Sequence, residues 1–499
     1  MKKSRTTIIG GLVSVVLVLT LVLTIVLYVN TLLSFEDTQL QVDSPLPKAP
    51  LDEAAAVARF AKAIQFETIS YDDPSRLNPQ AFLGLHEHIR ASFPLVHQQA
   101  EHYTVNQYSL VYHIKGSNSS LKPALFMGHM DVVPVDDGTA NQWKQAPFSG
   151  AIVDNVVWGR GTIDDKVTVM ALLEAMETRL REGFSPQRSI YFAFGHDEEI
   201  GGKQGAAKIA EHFEQQGLSF EFVLDEGGAI TQGLMKGVEQ PVAMVGVAEK
   251  GFVNLRLTVA SEGGHSSQPP NHTAAGVLSQ AIVNIENSQF DTNLSYSYNT
   301  FSHVAAYAPL SLQLPMANLW LFSPIVEQSM LSVPSSAAGI RTTIAATMLE
   351  GSSKSNILPT IASAVVNVRI LPGDSIASVK QHIVEAIDDP RVSVETFMEN
   401  EPSQLSPLNS TGYKLIESSI RRMDDNVLVA PYLVMGGTDA KHFYGLSDNV
   451  YRFMMVRLDK ESLKRFHGVN EQLAVNDYLQ AVSYFYSLLA GAGEASVEN

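Results

Sequence analysis

Apolar positions along this chain follow several distinct spacings, and each predicts a different kind of element. From about Ile8 to Leu33 the residues are almost wholly apolar and uncharged, and about 20 such residues suffice for a helix to cross a bilayer. A signal peptide has a shorter apolar core, about 7–15 residues, followed by a small-residue cleavage site. This run is longer and lacks a clear Ala-x-Ala site, so it reads as an uncleaved anchor. Residues 36–50 carry charge, Pro45, Pro47 and Pro50 and no period, the pattern of a linker. Ala54, Val57, Ala58, Ala61 and Ile64 then recur at helical spacing and open a globular domain.

Beyond that point short apolar runs end in polar clusters. Ala124–Met127 runs into Gly128, His129 and Asp131; Ile190–Phe194 into His196, Asp197, Glu198 and Glu199; Phe220–Leu224 into Asp225 and Glu226. Between the first two, Val167–Leu180 has a helical pattern. Strands alternating with helices predict an α/β sheet, whose sites lie beyond the carboxyl ends of the strands. The clusters are thereby expected to meet in one crevice.

Near residue 250 the period changes. Val253, Leu255, Leu257 and Val259 alternate with polar residues, as do Val366, Val368 and Ile370, which predicts antiparallel strands with one wet face. A helix is expected near Ile376–Ile387 and a strand at Val392–Phe397. The expected organisation is a basic flank and transmembrane anchor at 1–35, a linker at 36–50, a first catalytic part at 51–248, an inserted α+β domain at 249–400, and a second catalytic part at 401–499. The stretch from about Ser288 to Gly351 has scattered aromatics and weak period and is left unassigned.

Composition narrows the chemistry. The 499 residues include no cysteine, so any metal must sit on His, Asp and Glu. The net charge of −17 argues against a nucleic-acid partner, which needs a basic surface. Lys2, Lys3 and Arg5 precede the anchor; such a flank stays cytoplasmic, placing the rest of the chain outside the cytoplasm.

The clusters belong to longer motifs: Gly128-His129-Met130-Asp131, Gly159-Arg160-Gly161-Thr162-Ile163-Asp164-Asp165-Lys166, and His196-Asp197-Glu198-Glu199-Ile200-Gly201-Gly202. Singly each has a plain reading: a polar loop His, an Asp capping a helix, a solvated Glu pair. In this order, each after a strand, they resemble the dinuclear-zinc metallopeptidases that include aminoacylases, acetylornithine deacetylase, succinyl-diaminopimelate desuccinylase and glutamate carboxypeptidase. Within that family the chain is similar to the carboxypeptidase S and N-fatty-acyl-amino-acid synthase/hydrolase subgroup.

The resemblance implies an α/β catalytic domain with a central mixed sheet flanked by helices, plus a smaller inserted α+β lid or dimerisation domain. It implies two Zn2+ ions per subunit: His129 and Asp225 on one, Glu199 and His467 on the other, and Asp164 bridging. Asp131 would hold the His129 ring, and Glu198 would act as general base. His265, in Gly263-Gly264-His265-Ser266, would polarise the scissile carbonyl, often from the partner of a homodimer. Asn356, Arg369, Gly436 and Gly437 would bind substrate, the Arg369 guanidinium donating to the substrate's carboxylate. The implied activity is hydrolysis of the amide bond next to a C-terminal amino acid in short peptides. The alternative is an N-acyl (fatty-acyl) amino acid hydrolase or synthase, and a more distant one a zinc-binding ectodomain without catalysis.

Overall fold

The structure, a computed structural model, describes residues 2–42 and 44–495. The strands Ala124–His129, Ile190–Gly195 and Phe222–Asp225 are buried along their whole length, as expected of parallel strands covered on both faces. Ala124–His129 lies parallel between the other two, with His129 opposite Gly195 and Phe126 opposite Leu224. Val450–Arg452 extends the parallel set beyond Phe222–Asp225. Antiparallel strands complete the sheet: Ser109–Ile114 and Glu101–Val105 on one side, Val242–Glu249 on the other. The sheet is therefore mixed, and the polar clusters leave its carboxyl edge together.

The helix Lys166–Arg181 is buried nearly all round because it is wedged between this sheet, the helix Glu53–Ile64 and the C-terminal helix Val475–Ala492. Its buried charges are matched, as such groups require. Glu174 accepts two hydrogen bonds from Arg59, at 2.6 and 2.9 Å. Lys166 donates to the carbonyls of Ala63 and Phe66, at 3.2 and 2.7 Å.

Past Lys250 the chain enters the smaller sheet. Gly251–Ala260 pairs antiparallel with Ile361–Ile370 and Val392–Asn400, and Thr343–Glu350 forms an outer edge. Helices Ala274–Asn287 and Ile376–Ile387 cover its apolar face. The second starts at a reciprocal capping pair of Ser375 and Ser378. The alternation near residue 250 thus marked a half-buried sheet, and the expected helix and strand spans recur.

Two expectations change. The unassigned stretch is mainly helical, with Ser295–Val304, Leu310–Ala317, Leu319–Leu331 and Pro334–Ala338 preceding the edge strand. These helices leave the lid: Val304 and Ala308 pack with Val242, Leu428 and Ala430 of the large sheet. Within the expected unit 249–400 the small sheet and its two helices pack on one another, while residues of the middle stretch pack on the large sheet. The period is weak because the helices are short and two contain internal prolines, Pro315 and Pro324. Residues 36–50 lack helix and strand among the described positions, yet they are tied to the rest of the chain. The Gln39 amide bridges His303 O and the backbone of Val429, and Leu46 N donates to Arg422 O at 2.8 Å.

Candidate active site

His129 ends its strand and is buried. Its Nδ1 lies 3.0 Å from the Asp131 carbonyl oxygen and 3.4 Å from the Asp131 carboxylate, which leaves Nε2 2.9 Å from Asp164 Oδ1. The Asp131 carboxylate also accepts from the backbone N–H of Glu198 at 3.1 Å and of Glu199 at 3.2 Å, and from Ser70 Oγ at 2.6 Å. One buried carboxylate thus fixes both the His129 ring and the turn carrying Glu198 and Glu199. That turn ends at Gly201 with φ of 100°, a left-handed conformation that favours glycine.

Asp164 divides its oxygens between two imidazoles. Oδ1 faces His129, and Oδ2 lies 2.9 Å from His467 Nε2, which is also 3.2 Å from Glu199 Oε2. His467 is far from Asp164 in sequence, and a small sheet of Ala151–Val153, Val156–Trp158 and Gln472–Ala474 brings their loops together. Glu471 locks them. Its buried carboxylate accepts from the N–H groups of Gly161, Ile163 and Asp164, at 3.0, 2.8 and 3.3 Å, and from Arg160 Nη1 at 2.7 Å. Asp165 precedes the helix but makes no capping bond; its carboxylate accepts from His129 N at 3.3 Å instead.

Asp225 ends the neighbouring strand. Its Oδ2 accepts from Ala440 N at 2.7 Å, while Oδ1 is buried without a partner. Glu199 Oε1 and both oxygens of Asp439 are also buried and unpartnered. Gly195 and Gly202 leave the room Asp439 occupies, since a Cβ on either would meet its oxygens at 2.5 and 2.0 Å. Electrostatics follow from this crowding. Burial, with Asp439 and Glu199 nearby, pushes the Glu198 carboxyl well above the usual range. Burial likewise raises Glu226, aided by Asp164 and Glu198. Although burial opposes charge at Asp164, its two His partners hold it below the carboxylate range.

Unpaired buried carboxylates are costly, so this arrangement calls for cations. His129, Asp164 and Glu199 offer ligand atoms that all lie within 4.8 Å of one another, a group able to hold a metal ion. The donor set of imidazole and carboxylate suits a first-row divalent ion.

The other expected site residues lie outside this cluster. His265 is exposed in the lid, with Nδ1 2.8 Å from Ser267 Oγ. Asn356 is next to it, its carbonyl accepting from Ser266 N. Arg369 is exposed on the lid strand Ile361–Ile370, its guanidinium 5.6 Å from the Phe252 ring. Gly436 and Gly437 follow the strand Leu428–Val434, and a Cβ on either would meet nothing. Their loop is anchored by Thr438, whose N–H and hydroxyl donate to Glu249 Oε2 at 3.2 and 3.1 Å; the same oxygen is 3.2 Å from buried Arg452 Nε. Sequence reasoning gave no role to Ser70, Glu249, Asp439, Arg452 or Glu471. Asp439 lies close after the candidate Gly437 and Glu471 close after the candidate His467 in sequence, while Ser70, Glu249 and Arg452 carried no local signal.

A sequence profile described as Peptidase family M20/M25/M40 matches residues 125–491. "Probable carboxypeptidase S-like 2" of Dictyostelium discoideum is 40% identical over 445 residues, 88% of this chain and 85% of that protein. "N-fatty-acyl-amino acid synthase/hydrolase PM20D1" of Xenopus tropicalis is 37% identical over 432 residues, 86% of this chain and 84% of its own. Among solved structures, an M20 family metallo-carboxypeptidase of Sulfolobus solfataricus superposes with a TM-score of 0.65 at 19% identity, covering 89% of this chain and 100% of that one, a likeness of fold.

Proposed function

Because this chain belongs to peptidase family M20/M25/M40 and is a metallopeptidase, we propose that it hydrolyses the amide bond next to a C-terminal amino acid in short peptides. The observation that carries this is the Asp131 carboxylate. It bonds at once to the two amides of the Glu198–Glu199 turn and lies beside the His129 ring, so ligand candidates and an unligated Glu are held as one unit. A pair of zinc ions would be held by His129 and Asp225 on one side and His467 and Glu199 on the other, with Asp164 shared between them. The unpartnered oxygens of Asp225 and Glu199 support that division. Bound zinc supplies Lewis acidity toward water and the amide carbonyl.

The chain's own groups do the rest. Glu198 takes the proton of the attacking water on its carboxylate and passes it to the leaving nitrogen, the work of a general base turned acid. Arg369 and the backbone N–H groups of Gly436 and Gly437 bind the substrate carboxylate. His265 and Asn356, side by side on the lid, donate to the scissile carbonyl when the lid of this subunit or of a homodimer partner reaches the centre. The exposed edge strand Thr343–Glu350, with Met348 and Leu349 outward, supports pairing of lids. The N-terminal helix, Lys2–Ser34, anchors the chain, with Lys2, Lys3 and Arg5 on the cytoplasmic side.

A second substrate class, N-fatty-acyl amino acids, shares the carboxylate and the amide. The names of several relatives favour it. Purified protein assayed on blocked dipeptides and on N-fatty-acyl amino acids, with and without chelator, tests both. Chelator-sensitive cleavage of either class is expected. Activity only on substrates with a free amine and a blocked carboxylate refutes the reading.

A further inference from the structure

The N-terminal helix does not stand free of the inserted helices. Buried Asn318 donates to Leu27 O at 3.2 Å, Thr31 Oγ1 at 3.1 Å and Leu314 O at 2.9 Å. Asn30 donates to Ala317 O at 2.8 Å and Asn318 Oδ1 at 3.0 Å. Below them, Phe35 packs edge-on to Phe301 at 5.5 Å. Leu27 and Thr31 are consequently buried by protein, while most of the apolar helix around them is exposed.

Depth follows from length. The apolar stretch Ile9–Ser34 has 26 residues and rises about 39 Å, against a hydrocarbon layer about 30 Å thick. With the layer centred on that stretch it reaches roughly ten residues to either side. Leu27 then lies inside the layer and Thr31 at its outer boundary, so helices touching both must enter it. Their composition agrees. From Thr292 to Val326 no Asp, Glu, Lys or Arg occurs, and Glu327, the one charged residue of the two helices, accepts from Thr292 Oγ1 at 2.8 Å. Large apolar side chains face outward: Trp320 is 65% and Ile325 63% exposed, with Leu310 and Leu321 also exposed. The Asn30–Asn318 pairing satisfies its polar groups internally, as polar residues between membrane helices do, and Trp is enriched at the interface.

We propose that the helices Leu310–Ala317 and Leu319–Leu331 are seated in the bilayer leaflet nearer the catalytic domain, beside the anchor, with Leu310, Trp320, Leu321 and Ile325 among the lipid chains. This rests on the anchor crossing a bilayer. The preceding helix Ser295–Val304 leads from that seat to the strand Leu428–Val434, where Thr300 Oγ1 donates to Pro431 O at 2.7 Å, and that strand ends at the Gly436–Gly437 loop. The seat therefore fixes the mouth of the site against the membrane, a placement suited to amphiphilic substrates that partition into lipid.

The test uses the full chain in phosphatidylcholine vesicles whose acyl chains are brominated at shallow positions. Trp143 and Trp158 belong to the catalytic domain, so tryptophan emission quenched by brominated lipid should come from Trp320, and Trp320→Phe should remove the quenched component. Alkaline carbonate reports the anchor separately. A chain that resists extraction yet shows no quenching overturns the seat and leaves the anchor standing. A chain that is extracted removes the anchor and, with it, the depth from which the seat was placed, and so overturns the proposal whether or not emission is quenched. The sequence has no cysteine, so Ile325→Cys also reports on a competing occupant: disulfide-linked dimers in place of quenching would show a second copy covering this face, and overturn the proposal.

Discussion

Replacing Glu471 with Ala should disable the site without touching a metal-ligand candidate. The Glu471 side chain is fully buried and serves four donors: three N–H groups of the loop that delivers Asp164, and Arg160. Removing it strands the buried Arg160 guanidinium, and breaking such a pair costs about 3–5 kcal/mol. Each backbone N–H left without an acceptor adds about 1–3 kcal/mol, less whatever entering water restores. A net loss of about 4 kcal/mol lowers the unfolding midpoint of the catalytic domain by about 10 °C at about 2–4 °C per kcal/mol. The released loop lets Asp164 drift from His129 and His467, so metal affinity should fall by about 10–100-fold, as when groups that orient ligands are lost. Glu471→Gln keeps the size and one acceptor oxygen, and should fall between wild type and Ala. Calorimetry with metal quantification checks both quantities. A Glu471→Ala protein with native midpoint and full metal content would refute the argument that this carboxylate positions the Asp164 loop.

Glu198→Gln should retain full metal content and lose about 10²–10⁴-fold in turnover; metal analysis beside a kinetic assay separates loss of the base from loss of the centre. Chelation should abolish turnover and lower the unfolding midpoint. A ligand at about 1,000-fold its dissociation constant contributes about 4 kcal/mol, and zinc should restore both readings. Burial, with Lys441 beside it, pushes the His442 imidazole down to about 4. The unfolded chain therefore takes up a proton that the folded one refuses, and stability falls as pH drops from about 6.5 to about 4, by up to about 3 kcal/mol. In His442→Gln, whose amide can still donate to Gly201 O, that part of the acid sensitivity should vanish from a stability–pH profile.

What sequence could show here was whatever a residue does for its own element. Strands buried on both faces read as unbroken apolar runs, lid strands as alternations, and polar clusters fell after strands because a chain leaving a buried sheet must become polar there. Asp131 illustrates the limit. The family resemblance implied that it partners the His129 ring, but its bonds to the Glu198 and Glu199 amides exist only because two parallel strands set His129 opposite Gly195. Glu471 is the same case at longer range, since its partners begin at Arg160 and only the joining of Val156–Trp158 with Gln472–Ala474 brings them near. Glu249 repeats it for the glycine loop through Thr438. Each of these buried carboxylates accepts backbone N–H groups from a loop that carries a candidate site residue. The chain's acidity is thus partly structural: beneath the carboxylates that face the centre lies another set that holds their loops in place, and removing one of these should disturb the centre as surely as removing a ligand.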